Sequence, residues 1–157
     1  MRRSDRAITD LFEIQQILDK TKTLHLGLFD EGYPYIVPLH YGYELKDGSL
    51  TFYMHGAREG HKLDLIRSNP NVCVELDCDI ELISGGEVPC NYGSTYSSVI
   101  ARGKAELVTD EAEKIHGLNL LMKHQTGHTF EFDSRMAASV AVIKVTADSY
   151  TAKARKK

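Results

Sequence analysis

No stretch of this 157-residue chain approaches the ~18 consecutive apolar residues that a membrane-spanning helix needs. Cysteine is scarce and odd in number. Cys73, Cys78 and Cys90 cannot all pair, and no C-x-x-C spacing occurs, which argues against a disulfide framework and a cysteine-based zinc site. The opening Met1-Arg2-Arg3-Ser4-Asp5-Arg6 is not followed by the apolar core of a secretory signal, so the expectation is a reducing, cytoplasmic setting with free thiols. A large charge of one sign is missing too: 19 Lys+Arg against 22 Asp+Glu leave a net charge of −3. That removes the strongly basic footprint of a nucleic-acid partner. The basic Lys153, Arg155, Lys156 and Lys157 read as a frayed terminus. There is no internal repeat, low-complexity tract or linker.

What is present is ordinary for a folded domain. Hydrophobic residues make up 42% and charged residues 26%, and a chain of this length buries roughly 70% of its unfolded surface without staples. Residues 1–157 are therefore read as a single domain.

Hydrophobic spacing places the elements. Leu11, Ile14, Ile17 and Leu18 form one helical stripe over Asp10 to Lys20, with Asp10 and Glu13 at capping-box spacing. Leu24, Leu26 and Leu28 then alternate, and Asp30-Glu31-Gly32 supplies turn chemistry before a return strand from Tyr33 to Glu44. Pro34 and Pro38 cannot donate to a ladder, so part of that strand is expected at an edge, a bulge or beside a ligand. Leu50 to His55 completes a meander, and His61 to Arg67 is a two-turn helix stopped at Asn69-Pro70. Val72, Val74 and Leu76 begin a strand with a weaker continuation to Ile83. Tyr96 to Val108 is a long strand in which Gly103 marks a bulge or barrel corner. Asp110 opens a helix ending near Gly127, and Val140, Val142 and Val145 end the pattern. About six strands with short helices give an α+β class dominated by an antiparallel sheet.

Two polar stretches carry candidate chemistry. Gly56-Ala57-Arg58-Glu59-Gly60-His61-Lys62 joins a strand to a helix start, where backbone N–H groups and a Lys suit a phosphate, although the pattern is neither a P-loop nor a dinucleotide fingerprint. Tyr92-Gly93-Ser94-Thr95-Tyr96-Ser97-Ser98 offers hydroxyls to the same kind of anion. Taken alone, the two stretches are more simply an ordinary exposed loop and a polar approach to an edge strand. His55 borders the first loop and is suited to proton transfer, or simply to a hydrogen bond with a carbonyl. His124 and His128 stand at i, i+4 without a third metal ligand, so no metal is expected.

Taken in order, Leu26-Gly27-Leu28, Tyr33-Pro34-Tyr35-Ile36-Val37-Pro38-Leu39-His40-Tyr41, Leu50-Thr51-Phe52-Tyr53-Met54-His55-Gly56-Ala57, Gly60-His61-Lys62 and Tyr96-Ser97-Ser98-Val99-Ile100-Ala101-Arg102-Gly103 resemble the pyridoxamine 5′-phosphate oxidase-like flavoproteins. Within them the resemblance is greatest to the branch containing the 5-nitroimidazole-resistance (Nim) proteins, and it runs from about Arg3 to about Val145. It implies a six-stranded FMN-binding split β-barrel over 1–157, a homodimer with flavin at the interface, and an oxidoreductase reducing a small planar substrate such as a nitroimidazole. Val37, Pro38 and Leu39 would line the flavin ring and Tyr53, Met54 and His55 would flank it. Lys62, Ser97 and Ser98 would hold its phosphate, with His55 as the catalytic proton donor. Cys90 matches a cysteine of many relatives without an evident role. The alternatives implied are a true pyridoxamine 5′-phosphate oxidase, and a non-catalytic flavin- or haem-binding protein in which His124 or His128 would be the axial ligand.

Overall fold

The computed structural model describes residues 3–156, so Met1, Arg2 and the terminal Lys157 lie outside the described residues. In chain order the elements are β1 (Ala7–Ile8), α1 (Leu11–Lys20), β2 (Thr23–Asp30), β3 (Tyr33–Lys46), β4 (Ser49–Gly56), α2 (His61–Ser68), β5 (Asn71–Ile83), β6 (Gly93–Leu107), α3 (Glu111–Thr126), α4 (Ser134–Ala138) and β7 (Ala141–Arg155). Both expected N-caps form: Asp10 accepts the Glu13 N–H at 2.9 Å and Asp110 accepts the Glu113 N–H at 2.8 Å.

All the ladders are antiparallel, in the order β1-β7-β4-β3-β2-β5-β6, and an additional β6–β7 ladder closes the ring. The sheet thus has seven strands rather than six. The additional one, β1, is a two-residue edge laid on β7, too short to carry a periodic signal; the other six form the closed ring. The interior is apolar, with Leu24, Leu26, Phe52, Met54, Leu76 and Ile143 all fully buried. Ile14, Ile17 and Leu18 of α1 and Leu63, Leu65 and Ile66 of α2 are buried in the same cluster.

The final strand is longer than its sequence suggests. β7 runs to Arg155, so Lys153 and Arg155 belong to a ladder with β6 and not to a frayed tail. Gly103 lies at a register irregularity between β6 and β7, as its position in the strand implied. No helix among the described residues is long and apolar enough to cross a membrane.

The ring is split on one side. β4 pairs with β3 only from Tyr41↔Met54 onward, so residues 33–40 of β3 have β2 on one edge and no strand on the other. Pro34 and Pro38 fall within this bare edge, where a missing N–H breaks no ladder. Next to it, α3 packs on the outside of β3 and β4. A Cβ on Gly42 would stand 2.3 Å from the backbone of Leu120 and Leu121, so the close approach of helix to strand requires glycine there.

Candidate functional site

Where β4 parts from β3, the chain turns through Gly56 and Gly60 into α2. Gly60 is the N-cap with φ of 140°, a conformation that favours glycine, and no side chain caps the helix. The Gly60 carbonyl accepts from the N–H groups of Leu63 and Asp64, while those of His61 and Lys62 have no partner among the described residues. Lys62 folds back over Gly56, its Cε and Nζ 3.1 Å from where a Cβ would stand, and makes no ion pair among the described residues. The site therefore offers a free ammonium and two free N–H donors at the positive end of a helix.

His55 ends β4 beside this loop. The β3–β4 ladder stops at Tyr41↔Met54; His40 and His55 are the next residues on the two parting strands, close enough to interact electrostatically, and both are exposed. Desolvation, then the neighbouring His40 and Lys62, holds the His55 pKa below the ordinary histidine range. Its imidazole is therefore mostly neutral at pH 7. His61 is committed elsewhere, with Nε2 2.7 Å from Asp30 Oδ2 and its ring edge-on to Tyr35.

The other residues expected around a ring ligand differ in what they present. Val37 and Leu39 pack against the barrel interior, and Met54 is fully buried within it. Tyr53 is 4% exposed and lies in the cluster under α3, edge-on to His116. From these four, a ligand on the open edge meets chiefly backbone. Pro38, His40 and His55 are the exposed side chains of the group.

Ser97 and Ser98 lie elsewhere in the chain. Gly56 pairs with Ala141 of β7 and Ser98 with Lys153, so roughly 40 Å of strand separates the two places along β7. Ser97 donates to Asp79 Oδ2 at 3.2 Å, and Asp79 pairs with Lys20. Within one chain, Lys62 and the two serines do not form one site. Both stretches are hydroxyl-rich or cationic in sequence, and only the barrel register separates them.

Of the remaining candidates, His124 is half-buried between the rings of Tyr41 and Tyr43, and its Nε2 donates to the Thr21 carbonyl at 2.8 Å. That hydrogen bond takes the nitrogen an axial ligand would need, while His128 is exposed just beyond α3. All three cysteines are free thiols. Burial, then Asp79, pushes Cys78 up to about 11, which keeps it protonated, and Cys90 is exposed in a short turn between β5 and β6.

A feature that the sequence did not single out is a groove of about 1150 Å³ on the outer face of β2, β3, β5 and β6. Phe29, Tyr33 and Ile36 line it and are 62%, 80% and 61% exposed. The signal available was the outward parity of Phe29, which alternates with the buried leucines of β2, and of Ile36, which alternates with the inward-packed Tyr35 and Val37 of β3.

Comparison with known proteins places this geometry. A family profile described as pyridoxamine 5′-phosphate oxidase matches residues 10–154. No curated protein matches the sequence. Among solved structures, a candidate 5-nitroimidazole antibiotic resistance protein from Bacteroides thetaiotaomicron is 34% identical, with a TM-score of 0.80 over 94% of this chain and 86% of the other. A flavocytochrome from Azotobacter vinelandii (22% identity, TM-score 0.80, 100% and 72% of the two chains) has the same fold. So does an FAD- and haem-binding protein from Mycobacterium smegmatis (16%, 0.80, 97% and 74%).

Proposed function

This chain belongs to the pyridoxamine 5′-phosphate oxidase family, and from that premise we propose that it is an FMN-dependent oxidoreductase acting on a small planar substrate such as a nitroimidazole. The observation that carries the reading is the convergence of Lys62, the uncapped start of α2, His40 and His55 where β4 parts from β3. The relative from Bacteroides thetaiotaomicron supports the nitroimidazole class.

In this reading Lys62 Nζ and the N–H groups of His61 and Lys62 donate to the flavin phosphate. The backbone of Val37, Pro38 and Leu39 would hold the ring, with Tyr53 and Met54 keeping β4 rigid from behind. Bound flavin supplies the hydride or single electrons. His55 holds a proton at a ring nitrogen and delivers it to the reduced substrate. The exposed Phe29, Tyr33 and Ile36 fit a second copy of the chain, which would shield the site from water as a homodimer. Ser97 and Ser98 could then reach a phosphate only from the partner.

The test is to purify the protein, supply FMN, and follow flavin absorbance and nitroimidazole turnover with a reductant. Absence of flavin binding overturns the proposal. The pH profile reports on His55: a general acid acts in its protonated form, present below its pKa, and that pKa is depressed. Turnover is therefore expected to be greater at pH 5.5 than at pH 7.5, falling through a midpoint below 6.5, the ordinary histidine value. In His55→Ala this limb should vanish with flavin retained. An unchanged profile removes the proton-donor role.

A further inference from the structure

On the outer face of the barrel, His25 of β2 stands directly opposite Glu75 of β5, with Nδ1 3.2 Å from Glu75 Oε2. Asp77, two residues along β5, shares that face, and one ligand atom from each of the three lies within 4.8 Å of the others. Ligands on a single ion at about 2.1 Å stand roughly 3 to 4 Å apart, so small rotamer changes suffice to close the set.

The charges on this face are out of balance. Lys153 and Arg102 are the nearest cations by register, and neither makes an ion pair with Glu75 or Asp77; Lys153 lies over the Tyr96 ring. Asp77 is half-buried and has no hydrogen-bond or ion-pair partner among the described residues. Two carboxylates thus share one imidazole. Directly opposite Asp77 on β6 is Ser98, 8% exposed, whose hydroxyl is likewise without a partner among the described residues. The hydroxyl oxygen is still reached by solvent, so it is free to turn toward a liganded Asp77.

We infer that His25, Glu75 and Asp77 form a binding site for a divalent first-row transition ion, with Ser98 as hydrogen-bond donor to the ligating Asp77. The donor set selects the class. One imidazole and two carboxylates, with no thiolate, suit Zn²⁺ or Mn²⁺, and the intrinsic order of affinities favours Zn²⁺. All four residues stand on three adjacent paired strands, so the geometry is fixed by the ladder and not by a loop. Three protein ligands leave a fourth coordination position to water or another donor. Ser98 supplies the outer hydrogen bond that orients a ligating carboxylate.

The experiment is independent of flavin. The protein is expressed in zinc-supplemented medium, desalted, and analysed for metal and flavin content on the same sample; a stripped portion is titrated with Co²⁺ and followed by its visible spectrum. About one ion per chain and a saturable Co²⁺ spectrum are expected. His25→Ala and Asp77→Asn should weaken Co²⁺ binding by about 100-fold or more, and Ser98→Ala by about tenfold. Asp64→Asn, on a distant exposed helix position, should bind as the parent does. Circular dichroism on each variant separates loss of ligand from loss of fold, and Glu75→Gln gives a second isosteric variant should His25→Ala not fold. Metal-free wild type with no Co²⁺ saturation overturns the site, as does binding that survives both His25→Ala and Glu75→Gln.

Discussion

Replacing Gly42 by alanine is expected to destabilise the protein by about 3 kcal/mol and to lower its melting temperature by about 10 °C, because the new methyl meets a backbone and not a side chain. The atoms in its way are the carbonyl carbon of Leu120 and the nitrogen of Leu121, both 2.3 Å from the Cβ position. Neither can rotate aside, so α3 must lift off β3 as a unit. Lifting it also strains the Gln125 hydrogen bond to the Tyr41 carbonyl, 2.9 Å in the native arrangement. Gly117 provides the contrast. A Cβ there meets the Tyr53 ring at 2.5 Å, but a ring can tilt, and alanine inside a helix gains about 1 kcal/mol over glycine. Gly117→Ala should therefore fall within about 1 kcal/mol of the parent. Denaturant melts of the two variants decide the matter: equal losses would mean that backbone proximity at Gly42 is not what fixes the helix.

Lys62→Ala is expected to weaken FMN by about tenfold to 100-fold while leaving riboflavin almost unchanged, since a charge-assisted hydrogen bond is worth about 1.5–3 kcal/mol and riboflavin carries no phosphate to receive it. Lys62 has no ion pair among the described residues to lose, so the substitution should leave the melting temperature of the flavin-free protein within about 2 °C. Fluorescence titration with the two flavins reads the difference. Equal weakening of both would place Lys62 against the ring or outside the site, and would remove it as the phosphate ligand.

Local signals made much of the fold legible. The alternation of Leu24, Leu26 and Leu28, the two capping carboxylates and the Asn69-Pro70 stop each act within a few residues, and each element forms where these place it. β7 beyond Val145 was not legible because its inward positions are alanines, Ala152 and Ala154, whose burial is decided by pairing with a strand some fifty residues earlier in the chain. The bare edge of β3 was legible through its prolines. The separation of Ser98 from Lys62 was not, because two polar stretches of similar chemistry carry no mark of which strand end each will occupy. The same holds for His25, Glu75 and Asp77, which come together only through the β2–β5 register.

β7 forms ladders with β1, β4 and β6, three partners that lie in the first, middle and later parts of the chain. During synthesis, then, β2, β3 and β4 can pair as they emerge, but the ring cannot close until residues 141–155 have left the ribosome. The nascent chain must meanwhile carry the unpaired edges of β4 and β6 exposed. Slow closure through contacts of long sequence separation is the kinetic signature of such a layout, and until β7 is made the open edges of β4 and β6 are where the chain can aggregate.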